Sequence, residues 1–269
     1  VRELTQLLTA DHPNVPLDVA ALQIAAIEYP NVEVAGFLEL LDSHARELRQ
    51  WMRPNMGGEE WVELANRYLF EHLGFAGNQE DYYNPANSCL NQVLLERKGI
   101  PITLAVVYLE LARRLHRPVV GISLPGHFLV KYEDDDYAAF IDCFHGGRAV
   151  SLEECRDLAL RLANVDILTN RAVLKPATNR QIALRMLNNL RGAYYRSRQL
   201  EKVVSVLDLL IVADPQSAEE YKQRGVVQMA LERPQKALPD LERYLELAPH
   251  AADRAGIEGH IRELRRLVR

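Results

Sequence analysis

The sequence predicts an α+β protein: a helical lead-in and a buried core helix packed on an antiparallel sheet, followed by an all-α repeat domain. Three observations carry this. The run ITLAVVYLELARRLH is apolar nearly all round until Arg113 and Arg114, as a helix inside a domain must be. Directly after Pro118 the pattern changes to short alternating segments rich in β-branched and aromatic residues. In the last third, Pro215 and Pro249, Leu207 and Leu241, Val203 and Ala237, and Asp214 and Ala248 all stand 34 residues apart.

From Leu17 to Leu73 apolar residues recur at three- and four-residue steps in three segments, broken by Tyr29-Pro30-Asn31 and by Arg53-Pro54-Asn55-Met56-Gly57-Gly58. A turn-rich stretch from Asp81 leads into a short helix, LNQVLLERKG, capped by Asn87 or Ser88 and stopped by Gly99. Pro101 sits at the first turn of the core helix, where its missing N–H costs nothing. The strands are PVVGISL, HFLVKY and YAAFIDCF, separated by Pro125-Gly126 and by the turn EDDD. Ser151 and Glu154 form a capping box that opens the helix SLEECRDLALRLA. The chain then loosens through LTNRAVLKPATNR, which places the domain boundary between 176 and 177: residues 1–176 form the first domain and 177–269 the second.

The 34-residue period resembles that of tetratricopeptide repeats. Gly225 and Ala237 fall at small-residue positions, Tyr194 at an aromatic one and the two prolines at the ends of hairpins. Gln228 and Tyr244 depart from that pattern, and Gly192 is one place out of step with Gly225. Two hairpins are fewer than the roughly three repeats that stand alone, so the array is expected to dock on the first domain or to end in a capping helix, IEGHIRELRRLV. Arg262, Arg265, Arg266 and Arg269 read as a solvated helix end.

The 269 residues are 48% hydrophobic and 26% charged, with a net charge of -5, so nothing draws the chain to nucleic acid, and none is expected as a partner. Cys89, Cys143 and Cys155 are an odd count without CxxC spacing, which argues against a disulfide framework or a zinc finger and fits a reducing cytoplasm. The opening VRELTQLLTADHPNVPLD lacks the design of a secretory signal, and no stretch reaches the roughly 18 apolar residues of a membrane span. The expectation is therefore neither export nor membrane insertion, with residues before Val1 left open. No cofactor or metal is assigned.

If the hairpin turn has its tip at Asp134 and Asp135, cross-strand partners sum to 269 and His127 faces Asp142, the geometry of a base and its orienting acid. A cysteine at the start of the core helix would complete such a site, but that helix begins Gly99-Ile-Pro-Ile-Thr, ending on Thr103. Cys89, before the preceding short helix, is the best thiol candidate. Asn87 and His145 are further pocket candidates. His127, Asp142 and His145 are also two histidines and a carboxylate of metal-ligand type, across a Phe-His-Gly-Gly turn whose shape the sequence does not give. Gly146 and Gly147 read as a sharp turn after the strand.

The strings NSCLNQVL, KGIPITLA, PGHFLV and IDCFHGG, in that order and spacing, resemble the bacterial SirB-type regulators, a transglutaminase-like family with a tetratricopeptide tail. The resemblance covers nearly the whole chain and implies a papain/transglutaminase-like core. In active members a cysteine at the start of the core helix acts with a histidine and an aspartate on neighbouring strands. By resemblance His127 and Asp142 hold the last two places, while the cysteine place falls on Pro101 to Thr103, where there is no thiol. The expectation is a non-catalytic, pseudoenzyme-like module that binds a protein or peptide partner or regulates through its repeats. The alternative is a cysteine-dependent acyl transferase or amide hydrolase using Cys89 with His127 and Asp142.

Overall fold

The computed structural model describes residues 2–9, 15–169 and 171–268. Two compact units divide the chain: Pro13–Met186, and Val1–His12 with Leu187–Arg269. Among the described residues no helix is long and apolar enough to cross a membrane.

The first element, α1 (Arg2–Thr9), belongs to the repeat unit. The other unit begins with α2 (Leu17–Ala25), α3 (Val34–Trp51) and α4 (Gly58–Asn66), the last continuing as a π-helix, Arg67–His72. Next come β1 (Ala76–Gly77), a 3-10 turn at Pro85–Ser88, α5 (Leu90–Glu96), β2 (Lys98–Gly99) and α6 (Pro101–Arg114). Every residue of α6 from Pro101 to Ala112 is buried, as its sequence predicts. At roughly 1.5–3 kcal/mol for each large apolar side chain removed from water, this helix is the main source of the unit's cohesion.

Five strands follow in the order β6-β5-β4-β3-β7, all antiparallel: β3 (Val119–Ile122), β4 (Leu129–Glu133), β5 (Ala138–Asp142), β6 (Arg148–Val150) and β7 (Pro176–Ala177). Between β6 and β7 lies α7 (Leu152–Ala163), opened by the expected box: Ser151 Oγ accepts from Glu154 N–H while Glu154 accepts from Ser151 N–H. Ile122, Leu124, Leu129, Cys155, Leu158 and Ile167 join α7 to the sheet in one apolar cluster.

Two local expectations are corrected. The short helix ends at Glu96 rather than at Gly99, because Arg97 turns left-handed (φ 57°) and the chain leaves as β2 to pair with β1. Gly99 is needed for another reason: a Cβ there would stand 2.8 Å from Thr103 Oγ1. The cap of α5 is Cys89, whose side chain makes no capping bond to the helix, and not Asn87 or Ser88.

A second buried polar cluster closes the far end of α6. Arg114 reaches Asp18 on α2 (2.8 Å) and Asp42 on α3 (2.6 Å), and pairs with Glu110 one turn back; Arg113 adds bonds to Asp18 and Glu110. Burial would raise the Asp18 carboxyl, but Arg114, the Val19 N–H and Arg113 outweigh it and hold it below its usual value. At Glu110 burial wins and the pKa is raised.

The repeat unit takes the C-terminal part of α8 (Asn179–Arg196), then α9 (Leu200–Ala213), α10 (Ala218–Ala230), α11 (Pro234–Leu247) and α12 (Arg254–Leu267). The 34-residue echo is written into the backbone: α9 and α11 start and end 34 residues apart, and the left-handed residues Arg198 and Glu232 are separated by the same step. Gly225 lets α10 approach α11, since a Cβ there would meet Leu241 at 2.6 Å. Arg224 forks onto the buried Asp240 (2.6 and 2.8 Å) and reaches Asp208, tying α9, α10 and α11 together. The expected cap is α12, packed on α11 through Ile257, Ile261 and Leu264. The helix missed by sequence is α1, which packs on α9 with Leu4 and Leu8 fully buried. Arg265 is paired with Glu242 (2.7 Å), in keeping with a solvated helix end; Arg269, read with it, lies outside the described residues.

Candidate functional site

The β4–β5 register differs from expectation. Partners sum to 271, as in Val130 with Ile141 and Lys131 with Phe140, because the turn occupies four residues, Asp134 to Tyr137. Tyr137 O and the Asp134 carboxylate close that turn. A shift of two keeps every side chain on its predicted face, whereas a shift of one would have reversed them. His127 is therefore not paired across from Asp142. It precedes β4, in the turn after Gly126 (φ +75°), and meets Asp142 at the end of β5 from beyond the ladder.

Asp142 is wholly buried, and its two oxygens have separate duties. Oδ1 accepts from Phe144 N–H (3.0 Å) and His145 N–H (3.3 Å), which folds residues 143–145 into a 3-10 turn. Oδ2 accepts from His145 Nδ1 (2.8 Å); a carboxylate only accepts, so that nitrogen carries the proton. His127 Nε2 stands 3.0 Å from the same Oδ2, but off the line of an N–H···O bond, and so has no hydrogen-bond partner despite being shielded from water. Burial would raise the Asp142 carboxyl, yet the two imidazoles outweigh it and hold it at about 2.

The turn that brings His145 to this oxygen needs its glycines. Gly146 and Gly147 both have positive φ, and a Cβ on Gly147 would lie 2.5 Å from Asn66 Oδ1, whose own amide donates to Gly147 O (2.8 Å). On the other side, Arg185 donates to His127 O (2.6 Å) and to Ser123 Oγ (2.6 Å), with its guanidinium over the Phe128 ring. Arg185 was not anticipated: it lies 58 residues away, in a helix whose pattern reads only as repeat.

A cavity of about 490 Å³ adjoins the cluster. Its walls include His127, His145, Phe144, Tyr82 and Pro101, with Leu158, Arg161 and Leu162 from α7. Pro101, the first residue of α6, stands where the sequence reading looked for a nucleophile.

The remaining candidates are placed elsewhere. Thr103 is fully buried, donating to Asn87 O (2.8 Å) and accepting from Ile100 N–H (3.1 Å). Asn87 braces the loop that carries Tyr82: it accepts from Asn78 Nδ2 and donates to Asp81 O and Tyr82 O. Cys89 is fully buried, its thiol directed at Pro85 O (3.4 Å), and like Thr103 and Asn87 it does not line the cavity. Cys143 and Cys155 are also fully buried; burial pushes the Cys155 thiol up to about 11 and that of Cys143 well above its usual value.

Residues 36–188 match the transglutaminase-like superfamily, and residues 190–262 match the tetratricopeptide repeat. A UPF0162 protein of Xylella fastidiosa is 37% identical over 268 residues, covering 96% of this chain and 93% of that one. One from Pseudomonas aeruginosa is 30% identical, covering 91% and 89%. Human F-box only protein 21 is 36% identical over 106 residues, 36% of this chain and 17% of its own length. Among solved structures, a crystal structure of menin superposes with a TM-score of 0.43 at 12% identity, covering 98% of this chain and 74% of that one.

Proposed function

The chain belongs to the transglutaminase-like superfamily, among the UPF0162 proteins with a tetratricopeptide tail, and on that premise we propose that it is a cytoplasmic regulatory module that binds a protein partner through its repeats and performs no thiol chemistry. The observation that carries the reading is the cavity beside His127 and Asp142, whose wall at the start of α6 is Pro101 and contains no sulfur. Nucleophilic catalysis needs the attacking atom within hydrogen-bond reach of its base. The three thiols are instead buried, and a buried thiol is kept protonated and inert.

Tetratricopeptide arrays generally mediate protein–protein contacts, and this one exposes Tyr195 on α8 and Val226 on α10, apolar side chains on the first helices of successive hairpins. Two measurements test the reading. Native protein exposed to iodoacetamide at neutral pH is expected to label slowly at all three cysteines; rapid labelling of Cys89 that slows in His127→Ala would overturn the absence of thiol chemistry. Retention of a cross-linked partner is expected to fall with Tyr195→Ala and Val226→Ser and to survive His127→Ala. Loss with the histidine variant alone would move the binding site from the repeats to the cavity.

A further inference from the structure

We propose that His127, Asp142 and His145 form a binding site for a divalent first-row transition metal ion, with the free coordination positions opening onto the adjoining cavity. The site does not depend on whether the repeats bind a protein.

The donor set is two imidazole nitrogens and one carboxylate oxygen, a combination that suits Fe(II), Co(II) or Zn(II) and leaves part of the coordination shell open. The atoms are already assembled: His127 Nε2, Asp142 Oδ2 and His145 Nδ1 all lie within 4.8 Å of one another. With metal–ligand bonds of about 2.1 Å, donors at right angles stand about 3.0 Å apart and tetrahedral donors about 3.4 Å. The edges from Asp142 Oδ2 are 3.0 Å to His127 and 2.8 Å to His145, close to the right-angled value. The third edge, between the imidazoles, is no longer than 4.8 Å, and the His145 side chain is 45% exposed.

The independent observation is the setting of His127. It is 6% exposed, and its Nε2, pointed into the cluster 3.0 Å from Asp142 Oδ2, lies off the line of a hydrogen bond. A buried polar atom without a well-directed hydrogen bond is costly to keep. A metal ion would satisfy it, and in binding would displace to solvent the proton that His145 Nδ1 now donates to Asp142.

The candidate ligands are braced by their surroundings. Asp142 keeps Oδ2 for the ion because Oδ1 is held by two backbone N–H groups, and Arg185 fixes the His127 backbone. Two of the nearby cations are turned elsewhere, Arg185 onto Ser123 and His127 O and Arg148 onto Glu154, while Arg161 lines the cavity. Both histidines line the cavity, so positions the protein leaves unfilled face a space large enough for a small ligand.

The test uses the full chain without a polyhistidine tag, titrated calorimetrically with Zn²⁺ and followed with Co²⁺ by its visible absorption. One equivalent is expected to bind with Kd of about 10 µM or tighter. His145→Ala removes a half-exposed side chain and Asp142→Asn keeps the shape of the residue; each is expected to weaken Zn²⁺ at least about tenfold. His72→Ala, which removes a surface histidine near Glu47, is expected to bind as the parent does. Absence of saturable one-to-one binding, parental affinity in either site variant, or an equal loss in His72→Ala would overturn the proposal.

Discussion

The two ends of α6 carry the two buried polar clusters of the transglutaminase-like unit, and they are built on opposite terms. At the C-terminal end Asp18, Asp42, Glu110, Arg113 and Arg114 match charge with charge. At the N-terminal end one carboxylate faces two imidazoles, one imidazole nitrogen is left without a bond, and a cavity opens beside it. A satisfied network holds elements together, whereas a buried group without a well-directed partner beside a cavity can still take up another interaction. One helix thus separates what fixes the fold from what the fold presents.

Breaking the satisfied end should have the largest effect. Arg114→Met leaves Asp18 and Glu110 buried with their principal cation gone, and is expected to cost about 3–5 kcal/mol in urea unfolding. A cost below about 1 kcal/mol would mean that the network is no more than a surface pair.

Next in size is an alkaline effect that bears on whether sulfur takes part at either end. The folded pKa of Cys155 is raised by burial to about 11 from an ordinary value of 9.0, so the stability it contributes is complete below pH 9 and is lost as pH rises through about 11. The parent is expected to lose about 2–3 kcal/mol more than Cys155→Val across that window, measured as the difference between their denaturation midpoints.

At the unsatisfied end stability should respond little. His127→Phe keeps the shape of the ring but removes one of the two imidazoles that face the buried Asp142 carboxylate, and about 1–2 kcal/mol of destabilisation is expected by chemical denaturation. A loss as large as that in Arg114→Met would erase the contrast. Smallest of all, His145→Ala removes the donor to the buried Asp142 Oδ2 but takes away a side chain that is itself half in water, and about 1 kcal/mol is expected in the same experiment.

Much of the scaffold was legible because local chemistry and global packing agree. The apolar circumference of α6, the Ser151–Glu154 box and the repeat period are all short-range signals with one structural solution. The register of β4 and β5 was misjudged by two because turn length is not encoded by alternation, and the faces survived because alternation has period two. His127 and Asp142 could be named from sequence, and the role of His145 could not, since its approach to Oδ2 depends on a 3-10 turn and two left-handed glycines. Arg185 and α1 were missed for a related reason: their partners lie 58 residues away and on α9, distances at which sequence pattern is silent.

The placement of α1 bears on how the chain matures. α1 must wait for α9, nearly two hundred residues later in the chain, before Leu4 and Leu8 find cover. Closure of so long a loop is slow, so the repeat unit should be the last part of the molecule to reach its final form. A chain that has lost α1 would leave bare the α9 surface that Leu4 and Leu8 now cover.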